Sequence, residues 1–279
     1  MTLRRLLSLL CLTVSATGLV GCGGDTLAFD PVANAATKTA DSASARVAFE
    51  ANMNIDGVGG MSFSGTGIFD GGSKSGALNM NFTLPPAVSA QLGADPKLEM
   101  IFDGSDGFVL YMRSTLFDKQ LPAGSWVKMD LEKLADKAGV DLSAVMNANQ
   151  ADPSQTLAML MASSDAHVVN YDRVRGVLTT HYALNVDLKR LANENKALRE
   201  SLEQLMDVAG VDSYPAEAWI DDKGNVRKIK IDMSFNSPAG GAFTMTMTEE
   251  LYDFGVNATI QPPPASQVVD MSALLPHES

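Results

Sequence analysis

The feature that most constrains the fold is an alternation of apolar and polar residues over residues 45–56. A period of two over this length predicts a β-strand with one buried side and one side in water. The apolar positions of this stretch are Ala45, Val47, Phe49, Ala51, Met53 and Ile55. Comparable apolar rows recur at residues 61–69, 78–84, 97–103, 108–114, 168–174, 177–188, 226–235 and 243–252. Turn residues separate most of these rows, so we expect the strands to pair as antiparallel hairpins.

Two helical segments interrupt the strands in the middle of the chain. The first starts with Asp-Pro at residues 152–153, a favoured N-cap and first-turn pair, and its residues 157–162 are all apolar. A helix that is apolar on every side must lie between the sheet and another element. The second helix is predicted over residues 188–209, between Asp187 as its N-cap and Gly210. Residues 268–275 are predicted to form an irregular tail. The predicted class is α+β, with one strongly curved antiparallel sheet packed around helices.

The N-terminus carries a secretory signal that ends at a cysteine. Arg4 and Arg5 precede an apolar run over residues 6–20, and residues 19–22 read Leu-Val-Gly-Cys. This tetrapeptide resembles a bacterial lipobox, in which the cysteine thiol receives a diacylglyceryl group and cleavage leaves Cys22 as the new N-terminus. A short transmembrane anchor is the alternative interpretation, but the run is shorter than the roughly 20 apolar residues that span a bilayer.

These signals divide the chain into three predicted parts. Residues 1–21 form a signal peptide, residues 22–39 hold the lipidated cysteine and a flexible linker, and residues 40–279 form one domain. Two acyl chains suffice to hold a protein on a membrane. The expected location is therefore the extracytoplasmic face of the cell membrane, with the domain itself in water.

Charge and cysteine content exclude some partners and crosslinks. The chain has 21 basic and 33 acidic residues, and loss of the signal leaves 19 basic ones, which gives a net charge of −14. A protein this acidic does not bind nucleic acid through its phosphates. It is not drawn to an anionic leaflet either, so the anchor must hold it there. Cys11 leaves with the signal and Cys22 is acylated, so no disulfide is expected although the compartment permits one.

Few residues of the chain could support catalysis. The three histidines lack metal-ligand spacing, and His167 and His181 fall within strand rows, where hydrogen-bonded structural roles are more common. No Gly-x-Ser-x-Gly motif occurs. The acidic pairs at residues 221–222 and 249–250 are interpreted as solvated charges, although the sequence leaves a glycosidase pair open. We therefore predict no catalytic residues, no metal site and no cofactor, and hence a protein that is not an enzyme.

Methionine is the most informative residue type. The chain has 15 methionines, most of them in the apolar rows, whereas aromatic residues make up only 6%. One interpretation is a core that uses methionine as filler. The other is an adaptable apolar cavity between a curved sheet and its helices, because methionine adjusts its shape to irregular apolar surfaces. Gly65 and Gly67 inside one strand row favour a bent sheet, and with the all-apolar helix they favour the cavity.

Three segments resemble actinobacterial lipoproteins of the LppX/LprAFG type. They are VRGVLTTHYALNVDLKRL at residues 174–191, YPAEAWIDDKGNVRKIKIDM at residues 214–233 and FGVNATIQPPPASQVVD at residues 254–270, and the lipobox fits the same family. The resemblance implies a half-barrel similar to the lipoprotein carriers LolA and LolB. It also implies that the space between sheet and helices holds acylated lipids or glycolipids, which such proteins move within the cell envelope. These segments mark fold elements rather than a catalytic centre.

The resulting prediction is a membrane-anchored protein that binds an acylated lipid or glycolipid, such as one with palmitate-type chains, and carries it within the envelope. The periodicity assigns the cavity lining to Phe49, Met53, Phe63, Met80, Phe82, Met100, Leu110, Met159, Met233 and Met245. The alternative is a non-enzymatic envelope sensor or interaction module, which resembles the RseB type and would bind an envelope protein partner through its surface. A filled interior would favour that alternative.

Overall fold

The computed structural model describes residues 30–42, 44–92, 95–104, 108–118, 121–131, 133, 153–195, 198–236 and 241–271. The predicted signal peptide at residues 1–21 and the lipidation site Cys22 lie outside the described residues. Within that part of the chain the α-helices are α1 (Pro31–Ala40), α2 (Pro86–Leu92), α3 (Pro153–Met161), α4 (Leu188–Glu194) and α5 (Arg199–Ala209). The first six strands are β1 (Ser44–Ile55), β2 (Gly59–Asp70), β3 (Ser75–Thr83), β4 (Lys97–Asp103), β5 (Val109–Ser114) and β6 (Trp126–Asp130). The other six are β7 (Ser163–Val174), β8 (Val177–Asp187), β9 (Ser213–Asp221), β10 (Val226–Asn236), β11 (Ala242–Tyr252) and β12 (Val268–Asp270).

The strands form one open, curved sheet in the order β12-β6-β5-β4-β3-β2-β1-β11-β10-β9-β8-β7. Every neighbouring pair is antiparallel except β12 and β6, which run parallel. Strand β1 pairs with β11, so the first strand and the last long strand of the chain meet near the middle of the sheet. The predicted α+β class with an antiparallel sheet is confirmed, apart from the short parallel strand at one edge.

The register assigns alternate residues to the two faces of the sheet. Val47 on β1 pairs with Gly67 on β2 and with Leu251 on β11, so these three residues point to the same side. Val47 and Leu251 belong to the buried core cluster together with residues of α1 and α3. We therefore call the side that bears Val47 the inner face and the opposite side the outer face.

The core lies between the inner face of β8–β11 and the helices. Its fully buried side chains include Leu157 and Leu160 on α3 and Leu188 and Leu191 on α4. Burial of each leucine contributes about 1.5–3 kcal/mol relative to an exposed position. Helix α3 packs along α1 and also contacts the sheet, because Thr156 donates a hydrogen bond to Glu249 on β11. The prediction that this apolar helix contacts both the sheet and another element is confirmed.

The linker predicted over residues 22–39 is wrong for its described part, where Pro31–Ala40 forms helix α1. Asp30 caps this helix, since its side chain accepts hydrogen bonds from the backbone N–H groups of residues 32 and 33. Val32, Ala35, Ala36 and Thr39 are buried and follow the helical spacing. Their small size gives a weak apolar signal in the sequence, but it lets the helix lie close to the sheet.

Two further predictions are corrected in the C-terminal half. The helix predicted over residues 188–209 is two helices, because Asn195 is extended and ends α4. Its predicted caps are confirmed: the side chain of Asp187 accepts a hydrogen bond from Arg190 N at 2.9 Å, and Gly210 has φ +67° after α5. The tail, predicted as irregular from residue 268, contains strand β12, which pairs with β6.

Candidate functional site

The inner face gathers nearly all of the residues that the sequence predicts as a cavity lining. By strand register, nine of the ten lie on this face, and Met159 lies on helix α3. The nine are Phe49, Met53, Phe63, Met80, Phe82, Met100, Leu110, Met233 and Met245. All ten are half-buried. The structure therefore places nine of these residues on one face of the sheet and the tenth, Met159, on a helix packed against the core.

One transverse row of this surface consists of methionines. Met233 on β10 pairs with Met245 on β11, which pairs with Met53 on β1, which pairs with Met61 on β2. Four thioether side chains thus lie next to one another on adjacent strands, and neighbouring strands are about 4.8 Å apart. Unbranched thioethers rearrange easily, so this row offers an apolar surface of adjustable shape.

Phenylalanines continue the surface towards β3. The ring centroid of Phe63 lies 6.1 Å from that of Phe49 and 6.2 Å from that of Phe82. These separations fall within the range of favourable aromatic pairs. The three rings form a contiguous apolar floor next to the methionine row.

Glycines let side chains lie flat against this part of the sheet. A Cβ atom at Gly65 would be 2.5 Å from Phe49 Cζ, and a Cβ atom at Gly67 would be 2.4 Å from Leu78 Cδ2. Neither distance is compatible with a side chain. The sequence predicts a bend from these glycines, and the structure adds a close approach of Phe49 and Leu78 to the backbone of β2.

Burial differs across the predicted set. Phe49, Met100, Met159 and Met233 pack against the buried core cluster. The other six extend the inner face beyond that cluster while staying half-buried; they are Met53, Phe63, Met80, Phe82, Leu110 and Met245. A face of this kind is shielded from bulk water but keeps accessible apolar area, as a binding surface for an apolar ligand requires.

Two pockets among the described residues are smaller than a typical ligand site. One of about 90 Å³ lies beside the C-terminal end of α1, next to Leu157 and Phe254. The other, of about 170 Å³, has a largely polar lining that includes Glu99 and Arg113. Ligand sites usually start at ~300 Å³. Neither pocket is lined by the predicted residues, so neither is the predicted cavity.

Polar groups border the apolar surface where α3 meets the sheet. Glu249 lies on the inner face, is buried, and accepts a hydrogen bond of 2.8 Å from Thr156 Oγ1. The hydroxyl of Tyr214 donates to the sulfur of Met159 at 3.2 Å, and burial raises the pKa of Tyr214 well above its ordinary value. The interpretation of Glu249 as a solvated charge is wrong, because its side of β11 faces the helices.

In the second acidic pair, Asp221 also departs from its interpretation as a solvated charge, whereas Asp222 is exposed as predicted. Asp221 is buried at the β9–β10 turn and accepts hydrogen bonds from Asn225 N at 2.8 Å and Arg227 Nε at 2.7 Å. Burial alone would raise the pKa of Asp221, but these hydrogen bonds and the Arg227 charge outweigh it and lower the pKa. The carboxylate therefore holds a turn together, which is a structural task.

The histidines within the described residues have structural partners. His181 stacks on Trp219 with ring centroids 4.1 Å apart, and its Nε2 lies 2.6 Å from Glu217 Oε2 on the outer face. His167 is exposed on β7, with Nδ1 3.0 Å from the carbonyl oxygen of Asp165. No group of three or more potential metal ligands occurs in the described part of the chain.

The described helices are also too short or too polar to cross a bilayer.

Comparison with known proteins finds relatives in sequence and in structure. No protein-family model matches the chain. Over 155 residues the chain is 27% identical to an uncharacterised 31.2 kDa protein from the rplA–rplJ intergenic region of Streptomyces griseus. That match covers 54% of this chain and 49% of the other, so it spans about half the length of the curated relative.

Among solved structures, the chain is similar to LprF from Mycobacterium bovis, with a TM-score of 0.44 and 14% identity over 84% of this chain and 95% of that one. It is similar to the Mycobacterium tuberculosis lipoprotein LppX, with a TM-score of 0.38 and 12% identity over 83% and 100%. A LolA-superfamily protein from Nitrosomonas europaea has a TM-score of 0.29 and 9% identity over 80% and 93%. The chain thus resembles LppX, LprF and LolA-type proteins in fold.

Proposed function

We propose that this protein is a membrane-anchored lipoprotein whose inner face binds the acyl chains of a lipid or glycolipid and carries them within the cell envelope. The observation that supports the proposal is the half-buried methionine and phenylalanine surface of β1–β5, β10 and β11. Such a surface is costly to leave in water and adaptable enough to accept chains of different length. The role requires no catalytic group.

The energetics of acyl-chain transfer explain why a carrier would need this surface. Transfer of a sixteen-carbon chain from an apolar environment into water costs roughly 13 kcal/mol, at about 0.8 kcal/mol per methylene. An apolar face that shields most of the chain offsets most of that loss. Polar headgroups would stay at the edge of the surface, where they keep their hydration.

Attachment to the membrane is assigned to Cys22 in this proposal. Acylation of its thiol after cleavage of residues 1–21 would place the domain on the extracytoplasmic face of the cell membrane. The net negative charge of the domain gives no attraction to anionic headgroups, because like charges repel, so the anchor is what holds the domain at the membrane.

A paired substitution on β11 tests the inner face directly. Met245 faces inward and is half-buried, whereas its neighbour Thr244 is exposed on the outer face. We expect M245E to weaken the binding of a fluorescent acyl-chain probe at least tenfold, because a carboxylate enters the apolar surface. T244E adds the same charge on the other face and should leave binding unchanged. The full chain purified from membranes is titrated with the probe, and equal effects of the two variants would refute the proposal.

One observation favours the alternative role of a sensor or interaction module. The pockets of about 90 and 170 Å³ among the described residues are smaller than a lipid chain needs. If wild-type protein binds no acyl probe and extracts without lipid, the outer face and an envelope protein partner become the better explanation.

A further inference from the structure

Four large apolar side chains are exposed at one end of the sheet. They are Val58, Val88, Leu92 and Leu116, each 38–51% exposed, and we call them the apolar rim. Val58 lies in the β1–β2 turn, Val88 and Leu92 lie on α2 after β3, and Leu116 follows β5. Neighbouring strands from β1 to β5 run in opposite directions, so the C-terminal ends of β1, β3 and β5 lie at the same end of the sheet. The rim is therefore a feature of one end of the molecule.

Contacts join the three segments of the rim into one surface. A Cβ atom at Gly59, beside Val58, would lie 3.7 Å from Pro85 Cβ, at the start of α2. On α2, Ser89 Oγ donates to Asp95 at 2.8 Å. The backbone N–H of Lys97, two residues later, donates to Thr115 Oγ1 at 3.3 Å, next to Leu116. The three segments therefore lie next to one another at this end of the sheet.

The N-terminal chain leaves the domain at this same end. Asp30 precedes α1, and its carboxylate lies near Arg190. The hydrogen bond to Glu194 is the main cause that raises the pKa of Arg190; burial acts against it, and the charge of Asp30 adds a smaller increase. Arg190 also donates to the carbonyl oxygen of Ser163, the first residue of β7. The C-terminal end of α1 lies at the opposite end of the strands, where Thr39 Oγ1 accepts a hydrogen bond from Val226 N at the start of β10.

Chain length then limits how far this end can be from the lipid anchor. Cys22 precedes Asp30 by eight residues. Eight residues of polypeptide span at most about 26–29 Å. If Cys22 is acylated, residue 30 must stay within that distance of the bilayer surface. The end of the sheet that carries the apolar rim is therefore the end that the anchor holds near lipid.

We propose that the apolar rim contacts the bilayer and inserts into the boundary between headgroups and acyl chains; this inference rests on the proposed acylation of Cys22. Exposed apolar groups clustered at an anchored end are typical of membrane-contacting surfaces. The charged neighbours of the rim are mostly acidic, namely Asp56, Asp95, Lys97 and Asp118. The contact therefore depends on apolar insertion and suits zwitterionic lipid better than anionic lipid.

The rim also continues into the inner face. Ile55, the last residue of β1, is on the inner face, and Val58 follows three residues later. The methionine row crosses β1 and β2 beside this turn through the Met53–Met61 pair. A bilayer at the rim would therefore meet the end of the proposed acyl-binding surface, which gives lipid a path without exposure to bulk water.

Single-cysteine labelling tests the proposal with a matched control. V88C and L116C place an environment-sensitive fluorophore on the rim. The control, L178C, places it on a comparably exposed apolar position at the opposite end of the strands, at the start of β8. The full acylated chain is reconstituted into phosphatidylcholine vesicles that contain a spin-labelled lipid quencher. We expect the two rim labels to shift to the blue and to be quenched at least threefold more than the label at residue 178.

Equal quenching at the three positions, stronger quenching at residue 178, or failure of the protein to float with the vesicles would each overturn the membrane contact.

Acyl-probe binding, measured on the same preparations, separates the two proposals. Loss of rim quenching with intact probe binding refutes the rim alone. Retained rim quenching without probe binding refutes the carrier function and leaves the membrane contact standing. Quenching that appears only when a second protein is added would identify a protein partner as the occupant and refute the bilayer.

Discussion

The two halves of the sheet share one sequence pattern but differ in burial. On β8–β10, the inner-face side chains of Val186, Ala218 and Ile229 are at most 1% exposed, because α1, α3 and α4 cover them. On β2 and β3, Phe63 and Phe82 occupy equivalent inner positions and remain half-buried. Alternation along a strand therefore determines which side is apolar, whereas the helices decide whether that side becomes core or an accessible surface.

The largest expected effect compares two positions on the inner face of β11. Leu251 is 2% exposed and belongs to the buried core cluster, whereas Met245 is half-buried and lies outside that cluster. L251A should lower the free energy of unfolding by about 2–5 kcal/mol, since it leaves a cavity in the core. M245A should cost about 1 kcal/mol or less, because neighbouring thioethers can move into the space. Urea denaturation measures both, and equal costs would show that the core and the half-buried part of the inner face are packed alike.

A second prediction concerns the packed half at low pH. The pKa of Asp221 is lowered from 3.8, so folding favours the ionised carboxylate. The stability it contributes is therefore present above that value and is lost as the pH falls through the lower pKa of the folded state. D221N should cost about 1.5–3 kcal/mol at pH 6, in line with hydrogen bonds to a charged group, and much less at pH 3. Its exposed neighbour provides the control: D222N should show no such difference between urea titrations at the two pH values.

The smallest expected effect lies on β2, in the half of the sheet that the helices leave accessible. A Cβ atom at Gly65 would be 2.5 Å from the carbonyl oxygen of Asn79, a backbone atom that cannot rotate away. G65A should therefore cost about 1–3 kcal/mol and displace the ring of Phe49 from the sheet. At Gly60, on the same strand, the nearest atom would be 3.8 Å away, so G60A should be neutral. Similar thermal unfolding of the two variants would contradict the close approach described for β2.

Local patterns were sufficient to predict most of the long strands and their apolar sides. The alternation from Ala45 to Ile55 places Phe49 and Met53 on one side without knowledge of any neighbour. The alignment of Met233, Met245, Met53 and Met61 in one row could not be predicted, because it depends on register between segments far apart in the chain. Periodicity supplies residues that can line a surface, and pairing determines which of them meet.

Helix α1 and the buried acids show where local reasoning fails. Val32, Ala35 and Ala36 pack tightly because they are small, yet small residues give a low apolar signal. Glu249 lies at an inward position of its alternating strand, which was a usable signal, but its charge suggested solvent. The break at Asn195 depends on packing, since the apolar stripe at residues 191–205 continues on both sides of it.

Native mass spectrometry of the full chain, purified from membranes of a native-like host, tests the central claim most directly. A covalent acyl anchor stays attached when collisional activation is increased, whereas a lipid on the inner face dissociates. The account predicts an additional mass of one lipid or glycolipid that is lost on activation and is much reduced in M245E but not in T244E. A wild-type spectrum with only the mass of the chain and its anchor, under conditions that preserve noncovalent complexes, would contradict it.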